Sequence, residues 1–514
     1  MRLPRFFTAA LCLAFAPFSL AAAAPHEVVS ETITIAQGRL RGVKGEDPSV
    51  TVFKGIPFAA PPVGDLRWRP PQPPAHWDGV RRADTFGASA VQADLRSLGP
   101  WTEEYMFRNH TSEDCLTLNV WTPAKRSSER RAVFVWIHGG AYSSGSGEVL
   151  LYDGEGLAKK GIVVVTINYR LGVFGFLAHP ELTAESPHHA SGNYGLMDQI
   201  AALRWVRENI ASFGGDPSRV TIAGQSAGAG SVHHLLVSPE ARGLFHRAIA
   251  QSGPWRRNGL SLPLAEAEAQ GRAFARAISA PSLAELRALN ADELFSRYES
   301  QPTRFRPIVD GWIVPDQVVA VHQRGEQIDV PLLTGWTADE SSSQKGYGVT
   351  TVAQFTADAT KAYGERAIAF SLLYPAPNDT AAGEAQKQSR RDAARADLYH
   401  WTTLRAQKGR AKDWGYFFDR AIPWPEHPEY GAFHSGELPY TFNNLRLMNR
   451  PWTDVDRRLA HEVSSYWVNF VENGDPNGPG LPPWPDDNDQ LLRLGATTAA
   501  EPVLSEEKRA FYLE

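Results

Sequence analysis

The sequence predicts an α/β protein built on one large, mostly parallel sheet that is covered by helices on both faces. Short apolar or β-branched runs recur along the chain, and such runs are typical of buried strands. Six of them lie at residues 132–137, 162–167, 220–223, 248–250, 330–334 and 416–418. Helical patterns separate several of these runs, and strands that alternate with helices form a parallel sheet between two helical layers.

Helical periodicity is clearest at residues 196–212, where a Gly-Gly-Asp-Pro sequence ends the pattern. One face of this helix carries Leu196, Ile200, Leu203, Val206 and Ile210. Two longer helical stretches, residues 262–300 and 352–409, interrupt the alternation of strands and helices. We interpret them as helical insertions packed over the end of the sheet that carries the candidate site.

The two ends of the chain carry simpler patterns. Residues 32–35 and 40–43 flank Gly38 and predict an antiparallel hairpin, and the Pro-rich stretch 476–485 predicts a loop. No internal repeat or low-complexity linker divides the chain. Residues 25–514 are therefore predicted to form one domain.

Composition and charge exclude several classes of protein. The chain has 514 residues, of which 43% are hydrophobic and 21% charged, as expected for a globular protein with a large core. Its formal net charge is −5, and no basic run is long enough to bind a nucleic acid or an acidic membrane surface. A small or neutral substrate is the simpler expectation, with no nucleic-acid partner.

The first residues resemble a secretory signal peptide. Two arginines precede an apolar run at residues 6–20, which is followed by small residues at 21–24. A membrane anchor is the alternative, but Pro17 and Ser19 interrupt a run that is already short for a bilayer. We expect residues 1–24 to be removed and the protein to be exported, periplasmic or secreted, with no membrane attachment.

The cysteine count predicts a fold without a disulfide. Cys12 lies within the expected leader, so the mature chain keeps Cys115 alone. A lipoprotein anchor at Cys12 is disfavoured because Leu11 precedes it where a small residue is expected.

The candidate nucleophile is Ser226, at the centre of the sequence Gly-Gln-Ser-Ala-Gly at residues 224–228. A predicted strand leads directly into this pentapeptide, and a small-residue helix start follows it. Glycines on both sides allow the sharp turn that exposes the serine. The helix N-terminus directs backbone N–H groups toward the place where an oxyanion would form.

A serine hydroxyl requires a base, and the base requires an acid that orients it. In this type of turn the three follow one another along the chain as nucleophile, acid and histidine. Asp339 and Glu340 follow the predicted strand at 330–334, and His434 follows the strand at 416–418. Spacing alone leaves both acids open.

A second glycine-containing turn supplies candidate oxyanion donors. The strand at 132–137 runs into His138, and the next residues are small. The backbone N–H groups of Gly140, Ala141 and Ala227 are expected to bind the oxyanion. No His, Asp or Cys stands at metal-ligand spacing from His138, so neither a metal nor another cofactor is expected.

Together these motifs resemble the type-B carboxylesterase family, whose relatives include cholinesterases and bacterial para-nitrobenzyl esterases. The resemblance spans nearly the whole mature chain. It rests on FKGIPFA at 53–59, RWRPP at 67–71, SEDCLTLNV at 112–120, NYRLG at 168–172, GNYGLMDQ at 192–199 and QSG at 251–253. It implies an α/β-hydrolase fold and an esterase activity.

The resemblance also implies roles for individual residues. Ser226 is the nucleophile, His434 the base, and Glu340 rather than Asp339 the acid, with Ser252 supporting Glu340. Two ion pairs, Arg67 with Glu113 and Arg170 with Asp198, are implied to be structural.

Two departures from the family concern the scaffold. Ala90 stands where family members commonly have a cysteine that pairs with the one at Cys115, so the loop at residues 91–114 is expected to lack a covalent tether. Ala141 replaces the third glycine of the oxyanion loop and keeps its N–H group.

Other departures concern the substrate pocket. Gln225 replaces the glutamate that precedes the nucleophile in cholinesterases, and Tyr105 stands roughly where their choline-binding tryptophan lies. Cholinesterase activity is therefore disfavoured. Trp255 is a candidate wall of the acyl pocket or, equally, a core residue, and Arg256 and Arg257 are either solvated or selective for an acidic substrate.

The predicted function is a serine carboxylic-ester hydrolase that acts on a small-molecule ester through an acyl-enzyme. One alternative is a catalytically silent adhesion or recognition module of the same fold, which the complete set of candidate residues disfavours. Another is an amide, carbamate or lactone hydrolase that uses the same residues. Neither the ester nor the oligomeric state is encoded in a recognisable motif.

Overall fold

The computed structural model of the chain describes residues 29–253 and 261–513. The expected leader at residues 1–24 lies outside this range, as do Trp255, Arg256 and Arg257. The strands are β1 Thr32–Ile35, β2 Gly38–Arg41, β3 Val43–Lys44, β4 Thr51–Pro57, β5 Val80–Arg82, β6 Thr117–Thr122, β7 Arg131–Ile137, β8 Val163–Ile167, β9 Gly215–Gln225, β10 Arg247–Gln251, β11 Leu332–Thr337, β12 Asp413–Phe418, β13 Gln490–Leu494 and β14 Ala499–Pro502.

The central sheet has eleven strands in the order β14-β13-β12-β11-β10-β9-β7-β8-β6-β4-β3. Strands from β13 across to β8 are all parallel, whereas β14, β6, β4 and β3 add antiparallel edges. The prediction of a mostly parallel sheet is confirmed. Strand β9 follows β8 in the chain but pairs with β7, which brings the carboxyl ends of β7 and β9 side by side.

Helices cover both faces of this sheet, as predicted. They are α1 Glu155–Ala158, α2 Gly172–Phe176, α3 Pro180–Glu185, α4 Tyr194–Asn209, α5 Ala227–Val237, α6 Leu264–Ala277, α7 Leu283–Ala288, α8 Ala291–Glu299, α9 Val318–Arg324, α10 Val352–Tyr363, α11 Ala367–Leu373, α12 Asp379–Lys408, α13 Leu438–Thr441, α14 Asp454–Asn473 and α15 Glu506–Leu513.

Side chains alternate between the two faces along β7. Val133 and Val135 pack in the core that contains α4 and α5, whereas Phe134 and Trp136 pack in the core that contains α14. Successive residues of a strand point to opposite faces, so a strand with a core on both sides is apolar throughout. This explains why the central strands are continuous apolar runs in the sequence.

Helix α4 forms where its periodicity predicts, and a 3₁₀ turn at Ile210–Phe213 extends it. Gly214 ends the helix with φ of 77°, a left-handed conformation that glycine adopts at little cost. The predicted hairpin forms as antiparallel β1 and β2, and residues 476–485 form a loop without helix or strand. None of the helices in residues 29–253 and 261–513 is long and apolar enough to cross a bilayer.

The two predicted insertions form α6 to α8 and α10 to α12. Arg391 of α12 donates a hydrogen bond to Asp339, which lies just beyond the carboxyl end of β11. This contact places the middle of α12 near the carboxyl end of β11. Arg405 of the same helix donates to Asp413, the first residue of β12, so the C-terminal half of α12 runs along the sheet, and only the part before Arg391 can extend beyond its carboxyl end as predicted.

Two buried ion pairs join the segments around the site. The Arg170 guanidinium donates to both oxygens of Asp198, at 2.8 Å and 2.7 Å, and the two side chains are 3% and 0% exposed. Arg67 makes the same two-point contact with Glu113 at 2.7 Å and 2.6 Å. Both pairs are those that the family resemblance implies.

Replacement Asp198→Asn should destabilise the protein by roughly 3 to 5 kcal/mol, because it leaves the buried Arg170 charge without a counterion. Urea unfolding followed by tryptophan fluorescence measures the change. Asp94→Asn is the matched control, since Asp94 pairs with Arg96 on the surface and should change stability by less than about 1 kcal/mol. Equal effects of the two variants would contradict this account.

Candidate active site

Three strand ends bring the predicted site residues together. Ser226 follows β9, Glu340 lies three residues beyond β11, and His434 lies on the long connection after β12. Strands β9, β10, β11 and β12 are consecutive parallel neighbours in the sheet. Their carboxyl ends therefore meet at one edge, where catalytic and binding loops gather in open α/β sheets.

The turn at Ser226 is strained and crowded. Ser226 has φ of 58° and ψ of −121°, a conformation that L-residues rarely adopt. A Cβ atom on Gly224 would lie 2.4 Å from the Gly228 backbone, and one on Gly228 would lie 2.1 Å from the Ile137 carbonyl oxygen. Both flanking glycines are thus required by close backbone packing, as the sequence predicts.

Ser226 also stands at the N-terminus of α5. Its own N–H donates to the Gln251 carbonyl at 3.0 Å, which ties the turn to the end of β10. The first N–H groups of a helix have no partner within the helix and carry the positive end of its dipole. Ala227 begins α5 directly beside the serine, so its N–H is one of these groups.

Glu340 and His434 are in direct contact. The Nδ1 atom of His434 is hydrogen bonded to Oε2 of Glu340. The other oxygen, Oε1, accepts hydrogen bonds from the N–H and hydroxyl of Thr337 at 2.8 Å and 2.9 Å. Burial acts to raise the pKa of Glu340, but His434, Ser252 and Thr337 together hold that pKa below its usual value. The carboxylate is therefore ionised at neutral pH and fixes the orientation of the imidazole.

Asp339, the neighbouring acid, points elsewhere. It accepts hydrogen bonds from Tyr347 at 2.7 Å, from Arg391 at 2.6 Å and from the N–H of Ala432 at 2.9 Å. Its own N–H donates to the Ala432 carbonyl at 2.9 Å. Asp339 thus holds the chain segment that leads to His434, while Glu340 contacts the imidazole itself.

His434 is held from its other sides as well. The indole N–H of Trp101 donates to the His434 carbonyl at 3.1 Å, and the indole meets the imidazole edge to face. Nε2 of His434 lies 3.1 Å from the amide nitrogen of Gln225. No feature of the local sequence around Trp101 indicated this contact, because 333 residues separate the two side chains.

The predicted oxyanion loop lies directly beside Ser226. A Cβ atom on Gly139 would lie 2.7 Å from the carbonyl oxygen of Gln225. A Cβ atom on Gly140 would lie 2.1 Å from the carbonyl oxygen of Ser144. Gly140 has φ of 102° and Ala141 has φ of 55°, so the loop turns sharply after β7. Among the described residues, none accepts a hydrogen bond from the N–H of Gly140, Ala141 or Ala227.

Two cavities meet at Ser226. The larger, about 450 Å³, is lined by Tyr105, Gln225, Ser226 and His434 among others. The smaller, about 320 Å³, extends along the start of α5 and is lined by aromatic and aliphatic side chains together with two arginines. Tyr105 is buried and donates to the Ser435 carbonyl at 3.4 Å. The structure brings together every predicted site residue within its described range.

The loop at residues 91–114 is held by hydrogen bonds. Gln92 exchanges two of them with the backbone of Gly145, at 2.7 Å and 2.8 Å. Ala90 and Cys115 line the same small buried cavity, and Cys115 is a free thiol. The loop therefore closes over the larger cavity without the covalent tether common in the family.

Comparison with known proteins places the chain in a family. A sequence model of the Carboxylesterase family matches residues 29–512. The chain belongs to the carboxylesterase family. A fumonisin B1 esterase from Sphingopyxis macrogoltabida is 39% identical over an alignment of 474 residues that covers 87% of this chain and 83% of the relative. A para-nitrobenzyl esterase from Bacillus subtilis (strain 168) is 34% identical over an alignment of 504 residues that covers 93% of this chain and 98% of the relative.

A solved structure of a PNB esterase matches this carboxylesterase with a TM-score of 0.77 and 32% sequence identity, covering 93% of this chain and 98% of that one. The protein is a carboxylic ester hydrolase with an α/β-hydrolase fold, as its motifs imply. Among its described residues, no group of three His, Cys, Asp or Glu side chains is placed to hold a metal ion.

Glu437 is a further buried carboxyl beside the site of this carboxylesterase. It lies three residues after His434, is 1% exposed, and accepts a hydrogen bond from Gln251 at 3.1 Å. Burial, and then the charge of Glu340, raise the pKa of Glu437 to about 7. The folded protein therefore binds this proton more tightly than the unfolded chain does.

A carboxyl whose pKa is raised by folding loses its contribution to stability as the pH rises from its unfolded to its folded pKa. The neutral variant Glu437→Gln keeps an acceptor for Gln251 but has no proton to lose. Its stability relative to the native protein should increase by about 3 kcal/mol between about pH 4.5 and about pH 7.5. Urea unfolding of both proteins at the two pH values measures this.

The exposed Glu208→Gln variant controls for the loss of one negative charge, and its stability relative to the native protein should stay constant over the same interval. A pH-independent difference between Glu437→Gln and the native protein would show that Glu437 is already ionised at the lower pH.

Proposed function

We propose that Ser226, His434 and Glu340 form a catalytic triad that hydrolyses carboxylic esters through an acyl-enzyme. The observation that carries the proposal is the hydrogen bond between Glu340 and Nδ1 of His434. It directs Nε2 away from Glu340 and toward the Gln225 amide, and His434, Gln225 and Ser226 line the same cavity. A serine, a histidine and an acid in this relation constitute an activated nucleophile.

The reaction follows from the positions of the protons. Nδ1 of His434 keeps its proton and donates it in a hydrogen bond to Glu340. Nε2 therefore carries a lone pair, which faces the Gln225 amide at 3.1 Å and accepts the proton of the Ser226 hydroxyl in the reaction. Ser226 Oγ attacks the ester carbonyl, and the protonated Nε2 then gives its proton to the departing alcohol oxygen. Water attacks the acyl-enzyme by the same route, and the acid product leaves.

The negative charge on the carbonyl oxygen requires fixed donors. The N–H groups of Gly140, Ala141 and Ala227 are proposed to supply them, each contributing about 3 kcal/mol of transition-state stabilisation. Their support is that the described residues offer these N–H groups no internal acceptor. The rigid packing of Gly139 against Gln225 holds the donor loop at a fixed distance from the nucleophile.

The two cavities divide the substrate. His434 must reach the leaving oxygen, so the alcohol part of the ester lies in the larger cavity, which His434 lines. The acyl part then occupies the smaller cavity, which runs beside α5 and is lined by Ser226 and Ala227 but not by His434. On this assignment Tyr105 and Gln225 contact the alcohol part.

Ser252 is proposed to support the acid. It lies at the end of β10 with φ of 50°, and its hydroxyl contributes to the lowered pKa of Glu340. Trp255 stays a candidate wall of the acyl cavity. The substrate class we propose is a small-molecule ester, because the relatives are named for fumonisin B1 and for para-nitrobenzyl esters.

We further propose that residues 25–514 form a single domain that is exported after removal of residues 1–24. The apolar run and small residues at the start of the chain support export.

Ser226 should be labelled covalently by a fluorophosphonate, and Ser226→Ala should lose both the label and the hydrolysis of para-nitrophenyl butyrate. The phosphonate mimics the tetrahedral intermediate and requires an activated serine. Mass spectrometry of the labelled peptide measures this. Ser231→Ala, on α5 but buried away from the cavities, is the matched control and should keep the label. A native protein that stays unlabelled would contradict the triad and favour a recognition module.

Glu340→Gln should lower kcat by roughly 10³-fold or more, because the neutral amide cannot hold the imidazole in its reactive tautomer. Asp339→Asn should lower kcat by less than about tenfold. It should instead lower Tm, because it removes the ion pair with Arg391. Steady-state kinetics and thermal unfolding of both variants test the assignment, which the opposite ranking in kcat would overturn.

A further inference from the structure

Two arginines line the smaller cavity beside Ser226. Arg304 and Arg306 both face it, and Arg304 also lines the larger cavity. The remaining described wall is formed by apolar and neutral polar side chains, including Phe176, Leu262 and Ile308. Two cations at one end of an otherwise mainly apolar cavity beside the nucleophile are a feature that ester hydrolysis alone does not require.

The buried side chain of Phe305 sets the direction of the two neighbouring arginines, Arg304 and Arg306. Phe305 is buried between the two exposed arginines and packs edge to face on Phe274, with ring centroids 5.2 Å apart. Because Phe305 is directed into the core, its two neighbours are directed outward. The Arg304 guanidinium is fixed further by hydrogen bonds to the carbonyls of Gln301 and Thr303, at 2.6 Å and 2.9 Å.

These cations have no counterion in the described part of the chain. Neither Arg304 nor Arg306 forms an ion pair there, and the described lining of the smaller cavity contains no carboxylate. Glu299 shares the wall of the larger cavity with Arg304, but no salt bridge joins these two described residues. His234 also lines the smaller cavity, and burial lowers its pKa to about 4, so it adds no charge at neutral pH.

We infer that this cavity selects esters whose acyl part ends in a carboxylate, that is, monoesters of dicarboxylic acids. The inference rests on the proposed assignment of the smaller cavity to the acyl part. The apolar wall packs on the methylene chain, and the guanidinium groups bind the terminal carboxylate, a group that arginine matches with two parallel hydrogen bonds. Hydrolysis breaks the acyl–oxygen bond, consumes one water, and releases the alcohol and the dicarboxylate.

The test compares two esters that differ only in the terminal charge. They are the para-nitrophenyl monoester of adipic acid, which ends in a carboxylate, and the corresponding methyl, para-nitrophenyl diester. The native protein should show a kcat/KM about tenfold or more higher for the charged ester. The ratio of the two values should fall as salt is added, because both arginines are exposed.

The double variant Arg304→Gln, Arg306→Gln should lower the ratio of charged to neutral kcat/KM by about tenfold or more. Most of the change should be in KM, because a carboxylate far from the reacting carbonyl is bound equally in the ground and transition states. The double variant Arg39→Gln, Arg41→Gln replaces two exposed arginines of β2 that line neither cavity; it is the control for net charge and should leave the ratio unchanged.

A ratio of one or below in the native protein, or a ratio that the double variant leaves unchanged, would overturn the inference. Failure of the proposed function would give a different result: Ser226→Ala would then hydrolyse the neutral diester at the same rate as the native protein. Inhibition by free adipate gives an independent measure. It should be competitive, and at least about tenfold stronger than inhibition by hexanoate; equal inhibition would likewise contradict an anion-selective cavity.

Discussion

The backbone of α5 meets the end of β7 with no space between them for a side chain. A Cβ atom on Gly228 would lie 2.1 Å from the carbonyl oxygen of Ile137. This contact fixes the distance between Ser226, which immediately precedes α5, and the loop after β7 that is proposed to bind the oxyanion. Sheet pairing fixes the position of Ser226 relative to the end of β10, because Gln225 and Gln251 are register partners in adjacent parallel strands. The relative positions of Ser226 and the loop after β7 are therefore set by main-chain packing between a helix and a strand, which holds a site more precisely than loops alone.

The parts of the fold that the sequence predicts are those whose physical signal is local. Central strands such as β7 are buried on both faces and read as continuous apolar runs. The antiparallel edge strands were not predicted. Strand β4 contains Lys54 and Gly55, and β6 contains the buried Asn119, whose side-chain amide bonds Thr166 at 2.9 Å. A strand stabilised by a partner distant in the chain carries no such signal in its own residues.

The candidate site, like the fold, is predictable where the signal is local and unpredictable where contacts are distant in the chain. The turn at Ser226 and the donor loop are predictable because steric demands on neighbouring residues select glycine there. Position in the sequence does not show which of Asp339 and Glu340 contacts the histidine, because adjacent carboxyl groups differ only in the direction in which the chain points them. The family resemblance favoured Glu340. The contacts that distinguish them are long range. Arg391, on an insertion helix, holds Asp339, so that helix is mechanically linked to the segment leading to His434.

The loop over the larger cavity illustrates how one type of restraint can replace another. Gln92 is hydrogen bonded to the Gly145 backbone and Trp101 to the His434 carbonyl, whereas the family resemblance implies a disulfide at the base of the loop. Hydrogen bonds of this kind form at any redox potential. The thiol of Cys115 is buried, and burial raises its pKa, so this thiol is a poor target for oxidants. The native state should consequently be reached equally well in a reducing cytoplasm and in an oxidising compartment, without help from thiol-oxidising catalysts.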